Sequence, residues 1–247
     1  MSIYNHRTLV LHPGYEGLRD FMLSLPARFA RGEGRVIHDG RNQLRVLSHG
    51  GTDYVVKRFR RPNIVNRWVY GLLRPSKAKR AYRNALRYLA VGVGTPAPVG
   101  YANFHRGLAF GDSYFVTLVS VCPHRYEELF GRSFPYADDV LREIGRVTAV
   151  LHDNGMAHKD YGRANILFGQ RADGSVRIEI VDLNRMAVGR IGMRAGCKNF
   201  ERLPATAHMH RVMAEAYAAA RGFDAGECYR LMRKYRSTQS GQVEGEF

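Results

Sequence analysis

Apolar and polar residues change their rhythm about halfway along the chain. Short apolar-rich runs, Gly34 to Ile37, Gln43 to Ser48 and Tyr54 to Phe59, are divided by Asp39-Gly40 and Gly50-Gly51, the punctuation of antiparallel hairpins. Before them, Gly17 to Phe29 reads as a short amphipathic helix. After them, Ser76 has the chemistry of an N-cap, and Ala78, Ala81, Tyr82, Ala85 and Leu89 recur at helical spacing over Lys77 to Val91. Pro98 to Tyr101 and Ser113 to Val121 read as two more strands. From there the helical period takes over. Val140, Leu141, Ile144, Val147 and Leu151 form one stripe of a helix that opens at Asp138-Asp139 and is stopped by Gly155. Thr206 to Arg221 and Asp224 to Arg236 read as further helices, with a frayed tail from Ser237. The pattern predicts an α+β chain with an antiparallel-sheet first lobe, a mainly helical second lobe and a boundary near Ser120 to His124. We divide it into an N-terminal extension (1–30), a sheet lobe with one helix (31–122) and a helical lobe (123–247).

Composition sharpens this picture at two points. With 247 residues, 45% of them hydrophobic, the chain can bury a real core, and wholesale disorder is excluded. Its 38 Lys and Arg against 22 Asp and Glu leave a net charge of +16, which calls for an anionic partner. The three cysteines, Cys122, Cys197 and Cys228, are scattered, contain no C-x-x-C pair and suit a reducing compartment. The longest apolar run, Tyr114 to Cys122, falls well short of the roughly 18 residues of a membrane span. The N-terminus lacks a signal-peptide core. The expectation is a cytoplasmic protein, docked peripherally on the inner membrane. No nucleic-acid-binding motif accompanies the charge, so a nucleic-acid partner is not expected.

The chemistry is concentrated between His158 and Asp182. His158-Lys159-Asp160 is followed, after four intervening residues, by Asn165, then by the apolar Ile166-Leu167-Phe168. Ala172-Asp173-Gly174 is a turn, and Val176, Ile178 and Ile180 alternate with Arg177 and Glu179 as in a half-buried strand that ends at Val181-Asp182. If Asp173-Gly174 closes a hairpin, Asn165 and Asp182 lie about equally far from it, side by side at the open end. An amide oxygen and a carboxylate placed there are hard ligands suited to Mg²⁺. Asp160, on the loop before, is placed to orient a hydroxyl or take its proton. The histidines elsewhere show no metal-ligand spacing.

This arrangement resembles the catalytic loop and metal-binding Asp of the protein-kinase-like superfamily. Within it, the chain is similar to the lipopolysaccharide kinase family (Kdo and core heptose kinases). The similar stretches are Asp39-Gly40-Arg41-Asn42, Val56-Lys57-Arg58-Phe59, His158 to Phe168 and Val181 to Met186. The resemblance implies a bilobed protein-kinase-like fold and ATP-dependent, Mg²⁺-dependent phosphorylation of a sugar hydroxyl on a lipopolysaccharide core. It implies Asp160 as catalytic base, Asn165 and Asp182 as Mg²⁺ ligands and Lys57 on the ATP phosphates. Gly40 stands either in a nucleotide-covering turn or in a plain hairpin turn. The same machinery serves a protein or small-molecule kinase, and a non-catalytic scaffold is the rival from another class.

Two departures qualify the likeness. Kinases pair the strand Lys with a Glu on the next helix, but Asp112 is the one acidic residue between Lys57 and Glu127. Asp182, Asn84 or the nucleotide itself are the alternatives for holding Lys57. From Lys57 to Arg87, eleven basic residues occur without an acidic one, interleaved with Ile64, Val65, Trp68, Val69, Tyr70, Leu72 and Leu73. That composition suits an anionic membrane surface beside a glycolipid substrate. Glu201 and Arg202 are expected to form an ion pair in the segment after Asp182.

Overall fold

The computed structural model describes residues 6–60, 75–106 and 109–236. They fall into two compact units, one made of the residues up to Leu86 with Pro96–Val119, the other of Arg87–Thr95 with the residues from Ser120 onward. The tail from Ser237 and the aromatic part of the basic stretch, 61–74, lie outside the described residues.

The first unit is built on one antiparallel sheet. Its strands are β1 (His6–Leu11), β2 (Arg35–Asp39), β3 (Asn42–His49), β4 (Thr52–Phe59), β5 (Pro98–Arg106) and β6 (Ala109–Leu118), in the order β1-β5-β6-β4-β3-β2. Period-two alternation sorts the side chains. Leu47, Tyr54, Val56, Ala102, Phe104, Tyr114 and Val116 pack on one face with Phe21, Met22, Leu25 and Phe29 of helix α1 (Arg19–Ala30). Phe59 and Tyr101 pack on the other with Ala78, Ala81 and Tyr82 of helix α2 (Lys77–Ala90). The Ser76 hydroxyl caps α2 by accepting the Lys79 N–H at 3.0 Å. Residues 6–30, separated with 1–5 as an extension in the sequence, thus contribute an edge strand and a core helix to this unit. The helical stripe also differs from the expectation: Tyr88 is buried where Leu89 is exposed. Asp112, buried, pairs with Arg58 at 2.6 Å across β4 and β6.

The second unit takes the last turn of α2 and then turns helical. Helix α3 (Ala137–Asp153) buries Val140, Leu141, Ile144, Val147 and Leu151, and Gly155 follows it at φ 67°, the left-handed conformation its stop requires. Three short antiparallel pieces follow: β7 (His124–Arg125) pairs with β9 (Ile166–Gln170), β9 with β10 (Val176–Ile180), and β8 (Met156–His158) with β11 (Met186–Val188). Helices α4 (Met193–Lys198), α5 (Ala207–Arg221) and α6 (Ala225–Tyr235) complete it, the last two capped by Thr206 and Asp224. The strand read as running to Val121 stops at Leu118. Ser120 and Cys122 are bound instead into this unit, where the buried Glu179 carboxylate accepts the Ser120 hydroxyl at 2.6 Å and Arg177 at 2.8 Å.

Helix α3 crosses α5 at Gly145, whose absent side chain leaves room for the Met213 carbonyl oxygen; a Cβ there would sit 2.6 Å from it and 3.0 Å from the Ala216 Cβ. Neither neighbour is the flexible end of a side chain, so the helices must part to admit a methyl group. Gly145→Ala is expected to lower stability by about 1–3 kcal/mol, read as a lower thermal midpoint with an unchanged circular-dichroism spectrum; an unchanged midpoint would show that the crossing is not tight.

Candidate active site

The hairpin read in the sequence forms, centred on Asp173, so that Asn165 lies opposite Val181, one residue short of Asp182. Ile166 pairs with Ile180, and one step further out the Val181 N–H donates to the Asn165 carbonyl at 2.9 Å. Asn165 and Asp182 are therefore neighbours at the open end. Asp160 is tied to the same end from two sides. The Asn165 amide donates to the Asp160 carbonyl at 2.8 Å, and the Asp160 N–H donates to His158 Nδ1 at 3.1 Å. His158 Nε2 in turn donates to the Val181 carbonyl at 3.2 Å. A ring that accepts at one nitrogen and donates at the other is neutral, and burial of His158 pushes its pKa down, in agreement. Tyr161, buried, fixes the loop to α3 through a 2.7 Å bond between its hydroxyl and that of Thr148.

Asp182 carries the one left-handed backbone of any non-glycine residue described, at φ 61°. Such a conformation costs an Asp of the order of 1 kcal/mol and concentrates at functional loops. The Asn184 amide donates to its Oδ1. Asn165 spends its amide N–H on Asp160, so its side-chain oxygen is the atom that would meet a cation near the Asp182 carboxylate. The donor set, one amide oxygen and one carboxylate, fits a hard cation such as Mg²⁺ that takes its remaining oxygens from nucleotide phosphates. Among the described residues no group of three or more His, Cys, Asp or Glu could hold a metal by itself.

Asp160 is where the structure departs from the sequence reading. Arg185 Nη1 reaches both its carboxylate oxygens, at 3.1 and 3.2 Å, and Arg202 Nη1 donates to Oδ1 at 3.0 Å. Arg202 was expected to pair with Glu201; it turns to Asp160 instead, because the short 3-10 turn Asn199–Arg202 aims it at the catalytic loop. Neither arginine is signalled by the H-x-D or hairpin patterns, being distant in sequence from Asp160. Lys57 and Gly40 lie in the first unit. Lys57, on β4 between Leu44 and Phe115, points to the α2 side of the sheet, with Nζ 5.4 Å from the Phe59 ring centre. Helix α2 carries no carboxylate. Gly40 sits in the two-residue connection from β2 to β3, its N–H bonded to the Asn42 carbonyl at 3.1 Å.

A buried chain of polar groups supports the loop from behind. The Asn199 amide donates to the His158 carbonyl at 2.8 Å, while its oxygen accepts from His152 Nε2 at 3.0 Å. His152 Nδ1 meets the Tyr217 hydroxyl at 2.9 Å, and Arg221 donates to that hydroxyl and to Asp153. Burial pulls the His152 pKa down to about 4 from 6.5. A folded-state pKa below the unfolded one means the unfolded chain takes up the proton first as pH falls. The contribution of His152 is therefore complete above pH 6.5 and is lost between there and about pH 4. It amounts to at most about 3 kcal/mol. Denaturant midpoints measured across that window should fall more steeply for the wild type than for His152→Gln; parallel curves would mean that His152 protonates freely in the fold.

Comparison with known proteins agrees with this geometry. Residues 127–235 match the lipopolysaccharide kinase (Kdo/WaaP) family. No curated protein matches the sequence at a significant level. Among solved structures, WaaP in complex with acyl carrier protein is similar at 17% identity with a TM-score of 0.66, covering 97% of this chain and 99% of WaaP. The Rio2 kinase of Chaetomium thermophilum, solved as an ADP/Mg²⁺-phosphoaspartate complex, is similar at 14% identity with a TM-score of 0.52, covering 98% of this chain and 80% of its own. These likenesses show the protein-kinase-like fold, and the family match falls on the unit that holds Asp160, Asn165 and Asp182. The chain is thus similar to the lipopolysaccharide kinase (Kdo/WaaP) family over residues 127–235, and fold and family match together support a phosphotransferase.

Proposed function

We propose that this kinase transfers the γ-phosphoryl group of ATP to a sugar hydroxyl, of Kdo or heptose, in the lipopolysaccharide inner core. The observation that carries the reading is the bond from the Val181 N–H to the Asn165 carbonyl, which brings Asp182, the next residue, to the hairpin end where Asp160 is also bonded. Asp160 orients the acceptor hydroxyl and takes its proton as the oxygen attacks. Asn165 and Asp182 hold Mg²⁺ through their side-chain oxygens. Lys57 neutralises nucleotide phosphates, and the turn at Gly40 covers them. Mg²⁺-ATP supplies the phosphoryl group and most of the charge neutralisation for its transfer. The protein contributes position and fixed charge rather than a covalent step.

We place the reaction at the cytoplasmic face of the inner membrane, where a glycolipid acceptor lies. No helix among the described residues is long and apolar enough to cross a membrane, so attachment is peripheral in this reading, through the basic residues of 57–87. The rival reading, a non-catalytic scaffold, is favoured by one observation: α2 offers Lys57 no carboxylate.

Labelled ATP and Mg²⁺ presented with intact and deacylated lipopolysaccharide cores should give transfer to a core sugar. Asp160→Asn should lower the rate by about 10²–10⁴-fold. Asp182→Ala should abolish transfer. Asp182→Gly, which relieves the left-handed strain and is expected to be about 1 kcal/mol more stable than Asp182→Ala, should be equally inactive, because the loss is of the carboxylate. Full activity of Asp160→Asn, or binding of ATP with transfer to no acceptor, would favour the scaffold. For the membrane placement, sedimentation with anionic phospholipid vesicles should fall when Arg74, Lys77, Lys79 and Arg80 are replaced together by Gln; unaltered sedimentation would remove the basic stretch from membrane binding.

A further inference from the structure

Asp160 faces a charge imbalance that its proposed role does not need. Two guanidiniums converge on one carboxylate, leaving an excess positive charge where the acceptor hydroxyl has to approach. Yet neither arginine is loosely placed. The Arg185 carbonyl accepts the Lys159 N–H at 3.0 Å, which locks its backbone to the catalytic loop beside Asp160. Arg202 closes the turn that begins at Asn199, the residue bonded to the His158 carbonyl. The two side chains are 55% and 58% exposed, against 24% for Asp160, so they form the outer rim over a recessed carboxylate. Each places Nη1 on Asp160, and a guanidinium carries five donors in a planar fork, so each has donors left to offer outward.

We infer that Arg185 and Arg202 read a negative charge on the acceptor: the hydroxyl to be phosphorylated lies close to a carboxylate or phosphate of the same molecule, which the two guanidiniums hold beside Asp160. Such an anion restores the local charge balance at the rim as the hydroxyl arrives. Planar forks suit carboxylates and phosphates alike, because both accept two parallel N–H bonds. This inference rests on the phosphotransferase reading above and supplies its acceptor chemistry. The arginines act as specificity residues; the proton is still taken by Asp160.

The test uses matched acceptors with the full-length protein and Mg²⁺-ATP. One pair is the methyl glycoside of Kdo as free acid and as methyl ester. The other is the methyl glycoside of a heptose with and without a phosphate on a neighbouring hydroxyl. The wild type should prefer the charged member of at least one pair by tenfold or more in kcat/KM, and which pair shows the preference tells carboxylate from phosphate. Arg185→Gln and Arg202→Gln should each raise the KM for that charged acceptor by about ten- to a hundredfold, so that the preference within the pair collapses. Arg185→Lys and Arg202→Lys should recover part of it, with thermal midpoints confirming that each variant is folded. Equal use of both members of each pair by the wild type overturns the inference. So does a fall in kcat by the same factor on charged and neutral acceptors, which would place the arginines on Asp160 or on the transferring phosphoryl group. Transfer to none of the four acceptors, with ATP bound, overturns the phosphotransferase reading and this inference with it.

Discussion

The site depends on the register of one hairpin. A slip of one residue between β9 and β10 would turn the whole alternating set over, burying Arg177 and Glu179 differently and carrying Asp182 away from Asn165. Two contacts fix that register from opposite ends. At the closed end Asp173 accepts the Ser175 N–H and hydroxyl, and Gly174 adopts φ 83°. Along the free edge of β10 the Ile180 N–H bonds to the Gly94 carbonyl at 2.9 Å. Gly94 is required there, since a Cβ would lie 2.2 Å from the Ile178 carbonyl oxygen. The segment Arg87–Thr95 thus belongs to the second unit because it serves as the backstop of the hairpin.

Electrostatics in this chain follow a consistent logic once that register is set. Buried acidic groups are matched: Asp112 by Arg58, and Glu179 by Arg177 and Ser120. Buried histidines are kept neutral and used as connectors, His158 between Asp160 and Val181 and His152 between Tyr217 and Asn199. Among the described residues, part of the cationic surplus lies on helix α2 and on the rim of Asp160. A net charge of +16 is a standing repulsion within the fold, and in the proposed reading it serves anions that bind: nucleotide phosphates, the acceptor and a lipid surface.

How far the sequence foretold this differs by distance along the chain. Local signals were legible. The Asp173-Gly174 turn, the alternation of Val176, Ile178 and Ile180, the Ser76 cap and the stripe of α3 all reappear. Asn165 and Asp182 came within reach because equal arms of a hairpin are a matter of counting. What escaped was whatever joined remote segments. Arg202 lies 42 residues from Asp160, and nothing in its neighbours Glu201 and Leu203 announces the partner it takes; the adjacent Glu201 made a nearer but wrong one. Strand β1 escaped because its partner β5 is also remote and its own residues, His6 to Leu11, mix polar and apolar types. Leu89 was assigned to the buried stripe of α2 and Tyr88 is buried instead, since the last turn of that helix packs with a different unit from the rest.

The backbone at Asp182 bears on whether the fold is catalytic or only a scaffold. A glycine at φ 61° would be free of strain, and the hairpin bond from Val181 to Asn165 would be available to it equally. The chain instead carries a carboxylate at that point, at a cost of the order of 1 kcal/mol, and devotes Asn184 to orienting it. Folding gains little from this, because the carboxylate sits at the open end of the hairpin rather than in the core. The same holds for Asp160, whose carboxylate is left partly exposed while its backbone is bound on both sides. In the proposed reading these two carboxylates, with the Asn165 amide oxygen, are the groups that phosphoryl transfer uses. Helix α2 carries no carboxylate, but this arrangement does not depend on one, and that is the physical ground on which the proposed reading favours an active kinase.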